Sequence, residues 1–377
     1  MFTSLTTHNL HFHEDASIYC CASKNNMLAT GGGDSVIRIW QLDYINPKKE
    51  FNYYTALNSP LKIHYLHSLI GHSKTINSLE FSDEFLVSCS DSGEVFLWPI
   101  CEFKEGKCYK IKGNENDEAI SVLINDQLIY VGMKSGKLLI YEFSFKNIPK
   151  ESQENSFINT LLDDTFLPDM SLLREKDEKK RAKITLLPQQ DSFSVKLIKS
   201  LKLHSDSISG MCINQNHKIL FTQSKDKSVK VFDLLSNKLI NTIQINKLKL
   251  QPNLLNQHFK EELKLDFSDR SFFKRCICID DKLYLTNVTL CKKNVLISLG
   301  YPYKNICEVV GNFNWPVQKV FKIKNCLVVC TNKSIFLVDE KSEMFGSVGY
   351  GSMTDGCLVN DGVIFTNTDG FVYSMMI

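Results

Sequence analysis

Short apolar runs of about six residues, broken by clusters of Gly, Asp, Ser and Asn, recur along most of this chain. Where polar residues enter a run they tend to alternate with apolar ones, as at Val36-Ile37-Arg38-Ile39-Trp40. A period of two marks a β-strand with one face turned inward. The stretch Gly31-Gly32-Gly33-Asp34-Ser35 followed by Val36–Trp40 reads as strand, tight turn and strand, closed by an aromatic. The same design returns from Leu86 to Trp98, and again from Ile219 to Phe232, where Phe232 stands in the Trp slot. A hairpin that repeats along a chain means repeated supersecondary units. The pattern predicts an all-β chain folded as a seven-bladed β-propeller, each blade a four-stranded antiparallel sheet.

The predicted units run from His11 to Asp43, from Leu69 to Trp98, and from Ala119 to Phe143, where Tyr141 takes the Trp slot. The fourth runs from His204 to Leu234. The fifth is degenerate, with strands over Phe272–Ile279, Leu283–Thr286 and Val295–Leu299. The sixth covers Val317–Asp339, and the seventh Gly356–Met375. The seventh has three clear strands where four are needed. Because ring closure abolishes exposed sheet edges, a strand near Phe2–Phe12 is predicted to complete it. Two insertions interrupt the rhythm. Tyr44–Pro60 widens a connection inside the first unit, and Ser144–Phe193 (144–193) separates the third unit from the fourth. The second is rich in Asn, Ser, Lys, Glu and Asp, as in a mobile loop, with a short charged helix predicted over Met170–Ile184. The domain reading is a single propeller over 1–377 with that loop inside it.

Composition narrows the class. The chain has 377 residues, 43% of them apolar, and a formal charge of +2, so its overall field favours neither nucleic acid nor a basic partner. Thirteen Cys are scattered through apolar segments such as Cys276-Ile277-Cys278, unlike the short secreted scaffolds that depend on disulfides. Buried, reduced thiols are expected. No apolar run approaches the ~20 residues that span a bilayer, and Met1–His13 lacks a basic start followed by an apolar block. A soluble protein of cytosol or nucleus, with no membrane partner, is the expectation.

The candidate residues read mainly as structural. His72 and His204, the turn residues Asp34, Asp91, Asp226 and Asp369, and the aromatics Trp40, Trp98 and Phe232 have the spacing of polar series within a blade. Asp34 and Asp226 lie six positions before Trp40 and Phe232; in the second unit that offset falls on Ser92, leaving Asp91 one residue early and the series incomplete. His8, His11 and His13 have the look of a metal cluster, but no matching pair of ligands follows, so no metal is expected. Gly31-Gly32-Gly33 lacks the Lys-Ser/Thr of a phosphate loop, and Gly346–Gly351 lacks the order of a dinucleotide fingerprint. No catalytic constellation is found, and no cofactor is expected. The mixed run Arg174–Lys183 interleaves acids with bases, which weakens a phosphate field and argues against sequence-specific contact with nucleic acid. Phe272-Phe273-Lys274-Arg275 differs: two adjacent aromatics cannot both face one side of a strand, and aromatic and Arg residues dominate protein–protein hot spots. These four are the candidate partner-binding residues.

The repeats resemble the WD40 family; Gly71-His72 with Trp98 following has its spacing. A narrower similarity lies in His13–Tyr19, Ala29–Trp40, His72–Phe81, Ser271–Arg275, Ser334–Asp339 and Thr368–Phe371, which resemble the middle WD40 subunit family of chromatin assembly factor 1. That resemblance implies a non-enzymatic scaffold in a three-subunit histone chaperone of the nucleus, depositing histones H3 and H4 on newly replicated DNA. Its partners would be the large subunit, a second WD40 histone-binding subunit, and H3–H4 through the complex. In many relatives a C-terminal tail binds another chaperone; here the sequence departs from that pattern, ending at Ile377 directly after the last predicted strand, so the resemblance does not carry that contact over. The competing readings are a replication-independent histone chaperone with a similar propeller, a generic WD40 adaptor in ubiquitin ligation or RNA processing, and a propeller enzyme.

Overall fold

The computed structural model describes residues 4–8, 13, 16–44, 61–111, 116–145, 185–186, 193–251, 265–268, 275–338, 347–348, 351–360 and 362–376. Seven antiparallel β-sheets are arranged as a propeller, with two short 3-10 turns over Ile100–Glu105 and Ile245–Lys247 among the described residues. The predicted seven-bladed architecture is the one found. The innermost strands, Ile18–Lys24, Ile76–Phe81, Ala119–Asn125, Ile208–Asn214, Ile277–Ile279, Val317–Ile323 and Met353–Val359, touch one another in that order, and the last touches the first. Closure comes from Ser4–His8, which pairs antiparallel with Val372–Met376 and supplies the outermost strand of blade 7. The ring is thus fastened by its two chain ends, as the missing fourth strand required.

Each blade's second strand lies between two neighbours and is covered on both faces. Met27–Gly32, Phe85–Ser90, Ile219–Ser224 and Gly362–Asn367 are each buried at all six positions. That is why these strands read as continuous apolar runs while the outer strands alternate or turn polar. The core is divided accordingly, with one apolar cluster at every blade interface. Trp98 and Phe96 pack with Ile37 and Ile39 between blades 1 and 2, and Trp40 packs with Ile364 and Val372 between blades 1 and 7. Phe221 and Leu285 meet between blades 4 and 5. The thirteen Cys are all free, and burial pushes thiols such as Cys108 up to about 12.

In blades 1, 2, 3, 4 and 7 the tight turn between second and third strands places one residue in the left-handed region. Gly93, Gly136 and Gly370 do so without strain, while Ser35 and Lys227 occupy the equivalent place in blades 1 and 4. At Gly136 the need is also steric: a Cβ would sit 2.4 Å from the carbonyl oxygen of His204.

Both insertions fall where the repeats implied. Residues 45–60 separate the third strand of blade 1, Val36–Tyr44, from its outermost strand, Leu61–Ile70. The longer one lies between the third and fourth repeat units. Each repeat unit opens on the outermost strand of the preceding blade, so in space the chain leaves the third strand of blade 3 (Lys137–Phe145) and returns as its outermost strand, Phe193–Lys202. From this insertion Thr185–Leu186 adds in parallel to the outer edge of blade 2. The helix expected over 170–184 and the basic run 174–183 lie outside the described residues. Blade 5 departs most from the repeat. Its long second strand, Lys282–Leu290, pairs at one end with Ile277–Ile279 and at the other with Leu265–Phe267, a strand absent from the sequence reading.

Candidate functional site: the channel mouth and the polar networks behind it

Three blades carry a histidine network that ties the loop entering the blade to its second and third strands. In blade 1 the His13 ring reaches Asp34 Oδ1 through Nδ1 and Thr30 Oγ1 through Nε2, both at 2.8 Å, and the Trp40 indole N–H donates to the same Thr30 hydroxyl at 2.9 Å. Arg38 pairs with Asp34. Burial alone would raise the Asp34 carboxyl, but the His13 hydrogen bond, with the His13 and Arg38 charges, outweighs it and holds the group at about 2. In blade 2 His72 Nε2 meets Ser88 Oγ at 2.6 Å, and Trp98 Nε1–H donates to that hydroxyl at 2.9 Å. The Asp slot there is Ser92, whose hydroxyl donates to Glu94 at 2.7 Å; His72 Nδ1 is buried without a hydrogen bond, 3.9 Å from Glu94. Gly71 is required just before His72 because a Cβ would stand 2.8 Å from the Trp98 ring. In blade 4 His204 contacts Asp226 at 3.0 Å and Thr222 at 2.8 Å, and Phe232 fills the Trp slot without a donor. Asp369 makes no such network: it accepts from Thr368 Oγ1 at 3.2 Å beside Gly351.

Sequence reasoning missed His13 as a network residue. It precedes Asp34 by 21 residues, and His204 precedes Asp226 by 22, so the spacing could have found it. Of the three N-terminal histidines, His8 contacts Ser374 Oγ at 2.8 Å on the closing strand and His13 belongs to the blade 1 network, so these two do not share a site; His11 lies outside the described residues.

Asp91 has a different place. It accepts from Asn77 Nδ2 at 2.7 Å at the mouth of the central channel. There a cavity of about 330 Å³ opens among Tyr19, Asn77, Asp91, Gln318, Asn332 and Thr354, side chains from blades 1, 2, 6 and 7. Most of the lining residues carry a hydroxyl or an amide, while their carbon atoms form the larger part of the wall, so the cavity offers scattered hydrogen-bonding groups on a mainly apolar surface. Nearby, the buried carboxylate of Asp355 from blade 7 gathers Arg275 from blade 5, Lys319 Nζ from blade 6 at 2.8 Å, and the backbone N–H of Cys21 from blade 1 at 3.1 Å. The Arg275 guanidinium also donates to the carbonyl of Tyr19 at 3.1 Å. Enclosure would raise the Asp355 carboxyl, but the charges of Arg275 and Lys319 hold it below the ordinary range. Glu80 of blade 2 feels the same surroundings. Its side chain is open to channel water, yet the enclosing protein pushes its carboxyl up to about 7.

Arg275 is the one described member of the candidate partner-binding motif. Its charge is committed to Asp355 inside the ring; Phe272, Phe273 and Lys274 lie outside the described residues.

Seven closed blades make the fold a β-propeller, and the units that carry these histidine networks are WD40 repeats. The family model described as "WD domain, G-beta repeat" matches residues 4–41, 63–99 and 195–233. Over 95 residues, 24% of the chain, it is 30% identical to a chromatin assembly factor 1 subunit of Saccharomyces cerevisiae. Over 99 residues, again 24% of the chain, it is 33% identical to the protein of the same name in Schizosaccharomyces pombe. The aligned part spans only 19% and 17% of those two relatives. The chain is also 26% identical over 184 residues, 45% of its length and 23% of the relative's, to cell division control protein 4 of S. cerevisiae. Among solved structures the computationally designed Ika8 protein superposes over 98% of both chains with a TM-score of 0.53 at 14% identity, a likeness of fold alone.

Two outcomes are expected from the networks. Thr30→Val strands two buried groups, the His13 ring and the Trp40 N–H, and should cost about 2–4 kcal/mol in urea unfolding; Thr222→Val strands only His204 and should cost about half as much. Equal losses would contradict the assignment. Burial lowers the His72 imidazole to about 3, whereas in the unfolded chain it titrates near 6.5. Between those values the unfolded state binds a proton that the folded state refuses, so this residue's contribution to stability is lost as pH falls. The urea midpoint of His72→Gln should therefore drop less than that of the native protein between pH 6.5 and 4.5. Parallel curves would count against it.

Proposed function

We propose that this propeller is the scaffold subunit of a chromatin assembly factor 1 histone chaperone, supporting deposition of H3–H4 onto newly replicated DNA in the nucleus. The observation that carries this reading is the 30% and 33% identity to one subunit of that factor in two yeasts, in a chain whose ring is complete. A WD40 propeller typically serves as a non-catalytic platform, because its rigid sheets present loops from several blades together. In this reading it holds the large subunit and orders the complex with a second WD40 histone-binding subunit, and histones are carried by the assembly. Phe272, Phe273 and Lys274 remain the proposed contact residues. Arg275, held by Asp355, anchors the segment that presents them.

The longer alignment with cell division control protein 4 favours a second reading, an adaptor propeller in another complex. Affinity purification of the tagged protein from its own cells, followed by mass spectrometry, separates the two. A large charged subunit, a second WD40 protein and H3–H4 are expected. Recovery of another complex without histones would refute the chaperone reading and leave the adaptor.

A further inference from the structure

Blades 1, 3, 4 and 5 share an irregularity on the outermost strand. Opposite or next to the Trp slot, each inserts one extra residue: Leu66, Ile198, Ile240 and Val310. A bulge of this kind bends the strand and re-aims its side chains. In blades 1 and 5 the extra side chain is taken up by the fold, Leu66 against the cluster between blades 1 and 2 and Val310 against that between blades 5 and 6. In blades 3 and 4 it is left outside: Ile198 is 44% exposed and Ile240 58%. Each is joined by the preceding residue, Leu197 and Leu239, also exposed, and Leu235 stands clear in the turn that leads into the outermost strand of blade 4. The Lys199 ammonium donates to the Asn237 carbonyl at 3.4 Å, so these two walls are neighbours. Other exposed aromatics are engaged singly: Tyr301 stacks on His217, and Lys333 lies over Trp315.

The charge beside these aliphatics is mostly basic, with the exposed Glu142 directly opposite Lys196 as the acid on the blade 3 wall. Phe193–Lys202 carries Lys196, Lys199 and Lys202, Lys238–Gln244 carries Lys238, and neither strand contains an Asp or Glu. Asp233, opposite Lys238, is taken by the Ser236 hydroxyl and the Leu235 N–H. Strand addition is disfavoured here, since bulges and edge lysines are the devices that blunt a sheet edge. The fold does add strands where it can: Thr185–Leu186 on blade 2 and Lys249–Leu250 on blade 5. An occupant of this wall must therefore read side chains rather than backbone.

We propose that the outer wall of blades 3 and 4 docks an acidic amphipathic segment of a partner protein, with its aliphatic residues on Leu197, Ile198, Leu239 and Ile240 and its carboxylates beside Lys199 and Lys238. Apolar contact supplies the affinity, and charge supplies selectivity and rate. This surface stands apart from the channel mouth and from Arg275, and does not depend on the chaperone reading.

The test uses the full chain and a labelled helical peptide of about 18 residues, with Leu on one face and Glu elsewhere. Controls are its Lys-for-Glu counterpart and a scramble of the acidic peptide. Fluorescence anisotropy should show binding of the acidic amphipathic peptide alone, tightening as salt is lowered. Ile198→Glu with Ile240→Glu should weaken it at least about tenfold, with the circular dichroism melt unchanged because both sites are on the surface. Failure of the peptide to bind, equal binding of the scramble, or indifference to the double substitution would overturn the proposal. So would a dimer in sedimentation velocity that the double substitution dissolves, since the wall would then hold a second copy of this chain.

Discussion

Closing the ring is the constraint on which everything else in this molecule depends. Seven sheets must meet with no gap, and a gap anywhere exposes a strand edge and splits one of the interface cores. The backbone answers with the pairing of Ser4–His8 to Val372–Met376. The side chains answer with Asp355, whose carboxylate collects Arg275, Lys319 and the Cys21 amide from three other blades. Desolvation offsets much of the attraction in such a buried group. Its effect is geometric: with any one partner gone, the remaining charges are stranded, so blades 5, 6, 7 and 1 are held at one spacing around the channel.

Much of this was legible in the sequence, for physical reasons. Strands covered on both faces are mainly apolar, with polar side chains only where a network or a turn takes them up, so Met27–Gly32 and Ile219–Ser224 announce themselves, and the turns that follow are marked by Gly, Asp and Ser. The spacing of Asp34 to Trp40 and of His204 to Asp226 follows from the length of one hairpin. Outermost strands were harder to read. Phe193–Lys202 and Lys238–Gln244 are solvated and bulged, and their pattern is neither strictly alternating nor apolar. The Asp355 cluster could not be read at all, because residues from different blades meet only once the ring is closed. His13 was hidden by company: beside His8 and His11 it suggested metal chemistry, when its partners were Thr30 and Asp34.

The arrangement separates rigidity from recognition. Networks such as His72–Ser88–Trp98 lock blades 1, 2 and 4 from within and keep their polar atoms out of reach of a partner. What faces outward is of two kinds: a cavity at the channel mouth lined by hydroxyl- and amide-bearing residues, and an apolar, lysine-edged wall on blades 3 and 4. A scaffold that holds several proteins in one assembly needs separate faces of this sort on a frame that does not yield.

The most direct measurement is equilibrium unfolding of Asp355→Asn beside the native chain. If the carboxylate is what holds the ring at its centre, the variant leaves the half-buried Arg275 and Lys319 without their counter-charge and loses about 3 kcal/mol. A variant as stable as the native protein would contradict the account.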